Sequence, residues 1–131
     1  MTEKYNNVIL EEFKHYMESS GLGKKTVNNH LGNVGLFVND FLLWEEVDPE
    51  DGYEEIGYFF GEWAIRKNII FSEPSMRQYA SSIKKFYKFL YEVGKIDKKT
   101  SSAISYTFRD GLPDWLISVR QYEDELLRDE W

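Results

Sequence analysis

Cations and amides in two stretches of this chain have the types and spacing to bind a polyanion. Arg77, Ser81, Lys84 and Lys88 recur at steps of four, three and four, which on a helix gathers them along one face, with Lys85 at its flank. Such a stripe neutralises phosphates, and each contact steepens the salt dependence of binding by about 0.9 log units per log unit of salt. The same pattern also describes an ordinary solvated helix face. Lys24, Lys25, Thr26 and Asn28, with Asn29 beside them, open another helical pattern. A helix start presents free N–H groups and the positive end of the helix dipole to a phosphate, and asparagine amides pair with adenine edges in a major groove. For Asn29 and Asn33, ordinary turn chemistry and surface amides are the better account. His30 reads as a surface or partly packed residue.

Other chemistries lack their parts. There is no cysteine, so disulfides and thiolate metal sites are excluded, and the two histidines, His15 and His30, are too few for a histidine cage. The acids between Glu45 and Glu55 could hold a divalent cation, but Asp48-Pro-Glu-Asp-Gly lacks the alternating spacing of a calcium loop and reads as a solvated loop. No phosphate-binding glycine loop, zinc pattern or nucleophilic serine motif is present. No enzyme activity, metal or cofactor is expected.

The net charge of −7 opposes nucleic-acid binding as a sum, but it is unevenly spread. Residues 44–55 carry seven acids and no base, whereas Ser75 to Lys88 carry four bases and no acid. The two local potentials are of opposite sign. Aromatic residues reach 17% and fall within helical patterns, as core residues do. No apolar run approaches membrane-spanning length and no signal peptide is evident, so a cytoplasmic, soluble chain is expected.

The elements that must carry these residues are all helical. Helix one is expected over Glu3–Ser19, with Val8 or Ile9, Phe13, Tyr16 and Met17 on one face and Gly21 and Gly23 ending it. Helix two runs from Lys25 to Leu43 with Val27, Leu31, Val34, Val38, Phe41 and Leu42 as its apolar stripe. Gly32 and Gly35 lie inside it at a helix-propensity cost of about 1 kcal/mol each. Close packing of a neighbouring helix is the expected reason, with close approach of a ligand backbone as the alternative. An acidic loop leads to helix three, Tyr53–Lys67. Helix four starts at Glu73 or Pro74, with Ser72 as N-cap, and ends at Val93, with Gly94 beyond it. Lys99–Phe108 is weakly helical, residues 109–112 form a turn, and a last helix runs from Pro113 to Arg128.

The first four helices resemble the core-binding, SAM-like N-terminal domain of tyrosine recombinases, the phage integrases. The resemblance covers residues 8–96. It rests on Phe13, Tyr16 and Gly21-Leu-Gly-Lys-Lys-Thr-Val, then Val34, Phe37, Phe41 and Leu42, then Ile56, Phe59 and Phe60. It continues with Ser75-Met-Arg-Gln-Tyr and Ile83-Lys-Lys-Phe-Tyr-Lys-Phe-Leu before Gly94-Lys-Ile. The resemblance implies an all-α, four-helix core-binding bundle that clamps one side of double-stranded DNA with its second and fourth helices. The positions it implies are Lys24, Lys25, Thr26 and Asn28 on helix two, and Ser75, Arg77, Ser81, Lys84 and Lys88 on helix four. The family's catalytic arginine, His-x-x-Arg pair and nucleophilic tyrosine find no counterpart: no histidine follows Ile96, and Tyr106 and Tyr122 lack a set of cationic partners. The expectation is a core-binding domain over residues 1–96 and a helical C-terminal extension over 97–131, packed on it or on a partner. It would serve as a non-catalytic accessory or remnant of DNA integration. The alternative is an acidic protein-interaction module that no longer touches DNA and uses the C-terminal helix, ending in Trp131, to form a homodimer with a second copy or to meet a recombinase partner.

Overall fold

The computed structural model describes residues 2–129, so Trp131 lies outside the described residues. Five helices and no strands make up that span. Helix α1 covers Glu3–Ser19, with Thr2 accepting a hydrogen bond from the Tyr5 N–H at its start. Gly21, at φ 87°, closes it in the left-handed region that glycine tolerates without strain. Helix α2 begins as Lys24–Gly35 and continues as a wider, π-helical stretch over Leu36–Leu42, where the Leu43 N–H reaches back five residues to the Val38 carbonyl. The wide turns carry Phe37, Val38, Phe41 and Leu42 all into the core.

A 3-10 turn over Pro49–Glu55 feeds α3, which comprises Ile56–Tyr58, a second π-helical stretch at Phe59–Trp63, and Ala64–Arg66. The expected single regular helix from Tyr53 is therefore corrected. Its first turn is tightened where Gly52 lies beneath Leu42 and the Tyr87 hydroxyl, with no room for a Cβ. Tyr87 in turn donates to the Pro49 carbonyl at 2.9 Å. Helix α4 spans Glu73–Glu92 and starts in a capping box formed by Ser72 and Ser75. Gly94, at φ 79°, ends it, and the Asp97 carboxylate caps the next helix by accepting from the Thr100 N–H at 2.7 Å.

Helix α5 is one continuous helix, Lys98–Asp129, with Pro113 inside it. The expected turn at residues 109–112 is absent. Two packing facts explain this. Pro113 and Arg109 are both exposed, so the carbonyl that the proline leaves without its helical donor faces water. Gly111 leaves the space that the Trp115 indole fills as it lies back along its own helix, and a Cβ there would overlap the ring. The indole stacks on Phe60 at 4.8 Å and 16°, and meets Phe108 edge-on at 5.7 Å. Apolar burial on both sides of the proline thus keeps the helix whole. Gly111→Ala should destabilise the protein by about 1–3 kcal/mol in urea unfolding despite alanine's higher helix propensity, because the ring must move.

Helix α4 is the central element. It packs on α1, α2 and α5. Phe13 of α1 meets Phe86 edge-on at 5.4 Å, and Phe37 of α2 meets Phe59 of α3 at 4.9 Å. One apolar core runs from Ile9 through Phe86 to Val119, so α5 shares it with the first four helices. Helix α5 runs antiparallel to α4: Ser101 and Ile104 lie by Lys88, and Arg120 hydrogen-bonds Glu73 at the opposite end. Among the described residues no helix is long and apolar enough to cross a membrane.

Tyrosine hydroxyls tie the acidic loop down. Tyr5 donates to both Glu50 carboxylate oxygens, at 2.9 and 2.8 Å. Burial, aided by that carboxylate, pushes the Tyr5 hydroxyl up to about 12; burial and Glu92 do the same to Tyr16; burial raises Tyr87 as well. These phenols lose protons more readily in the unfolded chain than in the folded one. Their contribution to stability is complete below about pH 10 and declines as pH climbs toward about 12. Denaturation midpoints should be flat from neutrality to about pH 9.5 and then fall.

Candidate nucleic-acid interface

The two stretches singled out in the sequence meet across a cleft between α2 and α4, with a volume of about 580 Å³. Thr26, Asn28, Asn29, His30, Gly32 and Asn33 form its α2 wall. Arg77, Gln78, Ser81 and Ser82 form the α4 wall. No wall residue is acidic. The sequence accounts for this: no Asp or Glu occurs from Ser19 to Asn39 or from Pro74 to Tyr91, so both helices expose only neutral and cationic groups here. The walls instead carry amides, hydroxyls and a guanidinium, a set rich in N–H and O–H donors.

Four of the sequence-predicted residues, Thr26, Asn28, Arg77 and Ser81, share this cleft. Lys24 and Lys25 are exposed at the first turn of α2, whose N-cap, Gly23, provides no side-chain acceptor for the free N–H groups. Lys85 is half-buried, and its charge acts on His30. Lys84 and Lys88 fall on the other flank of α4, along its seam with α5, where Lys84 sits 5.9 Å from the Phe108 ring centroid. Arg77 borders both surfaces. The cationic ridge is thus oblique, passing from the α2 cleft at Arg77 and Ser81 to the α5 seam at Lys84 and Lys88. Among the described residues, Arg109 and Arg120 form ion pairs, the His15 ring lies 3.5 Å from Glu11 and Glu18, and none of the ridge cations is paired.

Ser75 is separated from the other residues by its bonds. Its hydroxyl accepts from the Phe71 and Ser72 N–H groups at 3.2 and 3.1 Å and donates to the Ser72 carbonyl at 2.9 Å. It serves the start of α4, and that helix end is closed by its own cap.

One expectation about α2 changes. A Cβ on Gly32 or Gly35 would meet nothing within 4 Å, so close helix packing is not the reason for either glycine. Gly32 instead lies in the cleft wall. Gly32→Ala should raise stability by about 0.5–1 kcal/mol, read as a higher urea midpoint, since the helix gains propensity and no clash offsets it. His30 is half-buried and bonded: its Nδ1 lies 2.7 Å from the Ser82 Oγ, and that oxygen accepts from the Asn33 Nδ2 at 3.0 Å. Ser82 is 1% exposed. Burial, then the charge of Lys85, lowers the His30 pKa below its ordinary value. Sequence reasoning missed this trio because Ser82 is a polar residue on a buried face, joined to His30 across 52 positions.

A second polar link also escaped notice. Buried Asn6 donates to the Asn39 Oδ1 at 3.0 Å, and Asn39 donates to Asn7 at 3.1 Å, fixing α1 to the wide-turn part of α2. Asp48, Glu50 and Asp51 converge within 4.8 Å, but Glu50 is engaged by Tyr5 and the cluster carries no other sign of a cation site.

Comparison of the chain with protein-family models, with curated proteins and with solved structures finds no match.

Proposed function

We propose that this chain is a non-catalytic module that binds the backbone of double-stranded DNA with α2 and α4, as an accessory to, or remnant of, DNA integration and recombination. The observation that carries the reading is the acid-free, donor-lined cleft between those helices in a chain of net charge −7. A surface that excludes all 23 acidic residues while keeping Arg77 and Lys85 beside a row of amides is complementary to a phosphodiester backbone. The uncapped start of α2 adds N–H donors and a helix dipole of the right sign. The resemblance of residues 8–96 to integrase core-binding domains points to the same two helices. Binding is expected to be weak and steeply salt-dependent, because the acidic loop and tail repel the duplex at longer range. A mobility-shift series from low to physiological salt tests this; a folded protein that shifts no duplex at low salt would retire the reading.

One observation favours the interaction-module alternative. Ile117, Leu126 and Leu127 of α5 are each more than two-fifths exposed. Removing the helix is a poor test, since Trp115, Leu116 and Val119 belong to the core. Light scattering on Leu126→Glu/Leu127→Glu is better: an oligomer that this variant converts to monomer, with no DNA shift in the parent, would favour the alternative.

A further inference from the structure

We infer that His30 contacts the ligand of the α2–α4 cleft, and that an anionic ligand of the nucleic-acid phosphate class entering the cleft makes His30 take up a proton. This rests on the reading above and adds to it a residue and a regulation that the sequence did not offer.

Ser82 and Asn33 hold the ring: the Ser82 Oγ is 2.7 Å from Nδ1 and is itself fixed by the Asn33 amide. If the Ser82 hydroxyl donates to Nδ1, the neutral ring carries its proton on Nε2. Nε2 has no protein partner among the described residues, and the ring forms part of the cleft wall. A cleft occupant with oxygen acceptors is therefore offered a positioned N–H. Protonation does not break the trio. The Ser82 Oγ has lone pairs for both Nδ1–H and Asn33, and a helical serine hydroxyl can turn to the carbonyl four residues back.

The charges around the ring set the sign. From α4 it faces Lys85 and, across the cleft, Arg77; its own helix contributes Lys24 and Lys25 at the start, and the one acid of that helix, Asp40, lies on another surface beside Glu3 and Trp44. Helices α1, α3 and α5 supply no wall residue. An empty cleft thus favours the neutral ring, since burial and Lys85 both oppose its charge. A phosphate in the cleft reverses the balance by placing a negative charge against the ring. Binding and protonation are then linked: affinity rises as pH falls between the titration points of the free and bound states, by at most about tenfold per pH unit for one proton.

The test is fluorescence anisotropy with a short rhodamine-labelled duplex at fixed ionic strength, from about pH 8 to about pH 5. It is run on the parent chain, His30→Gln and His15→Gln. His15, exposed between Glu11 and Glu18 on α1, is the control. The parent and His15→Gln should gain affinity on acidification, and His30→Gln should lose that gain. The two imidazoles are also followed by NMR in the parent chain, so the outcome does not depend on any variant folding. His30 should titrate at higher pH with duplex than without. A His30 titration unmoved by duplex, or an undiminished slope in folded His30→Gln, overturns the inference and leaves DNA binding standing. Absence of binding at every pH overturns both.

Discussion

Trp115→Ala should lower the stability of the protein by about 3–5 kcal/mol, the range for emptying a buried aromatic site. The indole stacks on Phe60, meets Phe108 edge-on and fills the space over Gly111, so its removal loosens α5 from α3. Domains of this size have about 5–15 kcal/mol in total, so the variant should be near its folding threshold. Urea denaturation followed by circular dichroism gives the number. A loss under about 1 kcal/mol would mean that the C-terminal helix is not an integral part of the core.

The second large effect concerns binding rather than folding. Changing Lys84, Lys85 and Lys88 together to glutamate should abolish the duplex shift while leaving the thermal transition close to the parent's. Lys84 and Lys88 are exposed and none of the three is in an ion pair among the described residues, so the fold has little to lose. Removing three phosphate contacts lowers the salt slope by about three, and the reversed charges add repulsion. Arg77→Ala alone should weaken binding to all duplexes alike and reduce the slope by about one. If the triple variant binds as the parent does, the ridge is only a solvated face.

Much of this architecture could be read from the chain because it rests on local rules. Ser72 as a cap, Gly21 and Gly94 as left-handed stops, and the stripes of α1 and α4 all follow from helix geometry and side-chain chemistry. What the chain concealed depends on partners far away in sequence. Proline and glycine near residue 112 are strong local signals for a turn, yet burial of Phe108, Trp115, Leu116 and Val119 on one side outweighs them and keeps α5 continuous. The wide turns at Leu36–Leu42 and Phe59–Trp63 arise where two aromatic-rich segments face each other, as in the 5.2 Å approach of Phe41 and Phe59. At the cleft, Thr26, Asn28, Arg77 and Ser81 are singled out by residue type and are found lining one surface. His30 and Ser82 became visible only once α2 and α4 were set side by side. The oblique course of the lysines has the same origin: α4 is covered on two sides, by α2 and by α5, so its cations emerge at both seams.

The central claim is that a duplex lies against the α2–α4 cleft, and amide chemical-shift mapping during a duplex titration at low salt tests it most directly. The account expects the largest changes at Lys24 to Asn33 and Arg77 to Lys88, fading as salt is added. Changes confined to the outer face of α5, or none at all in a folded protein, would contradict it.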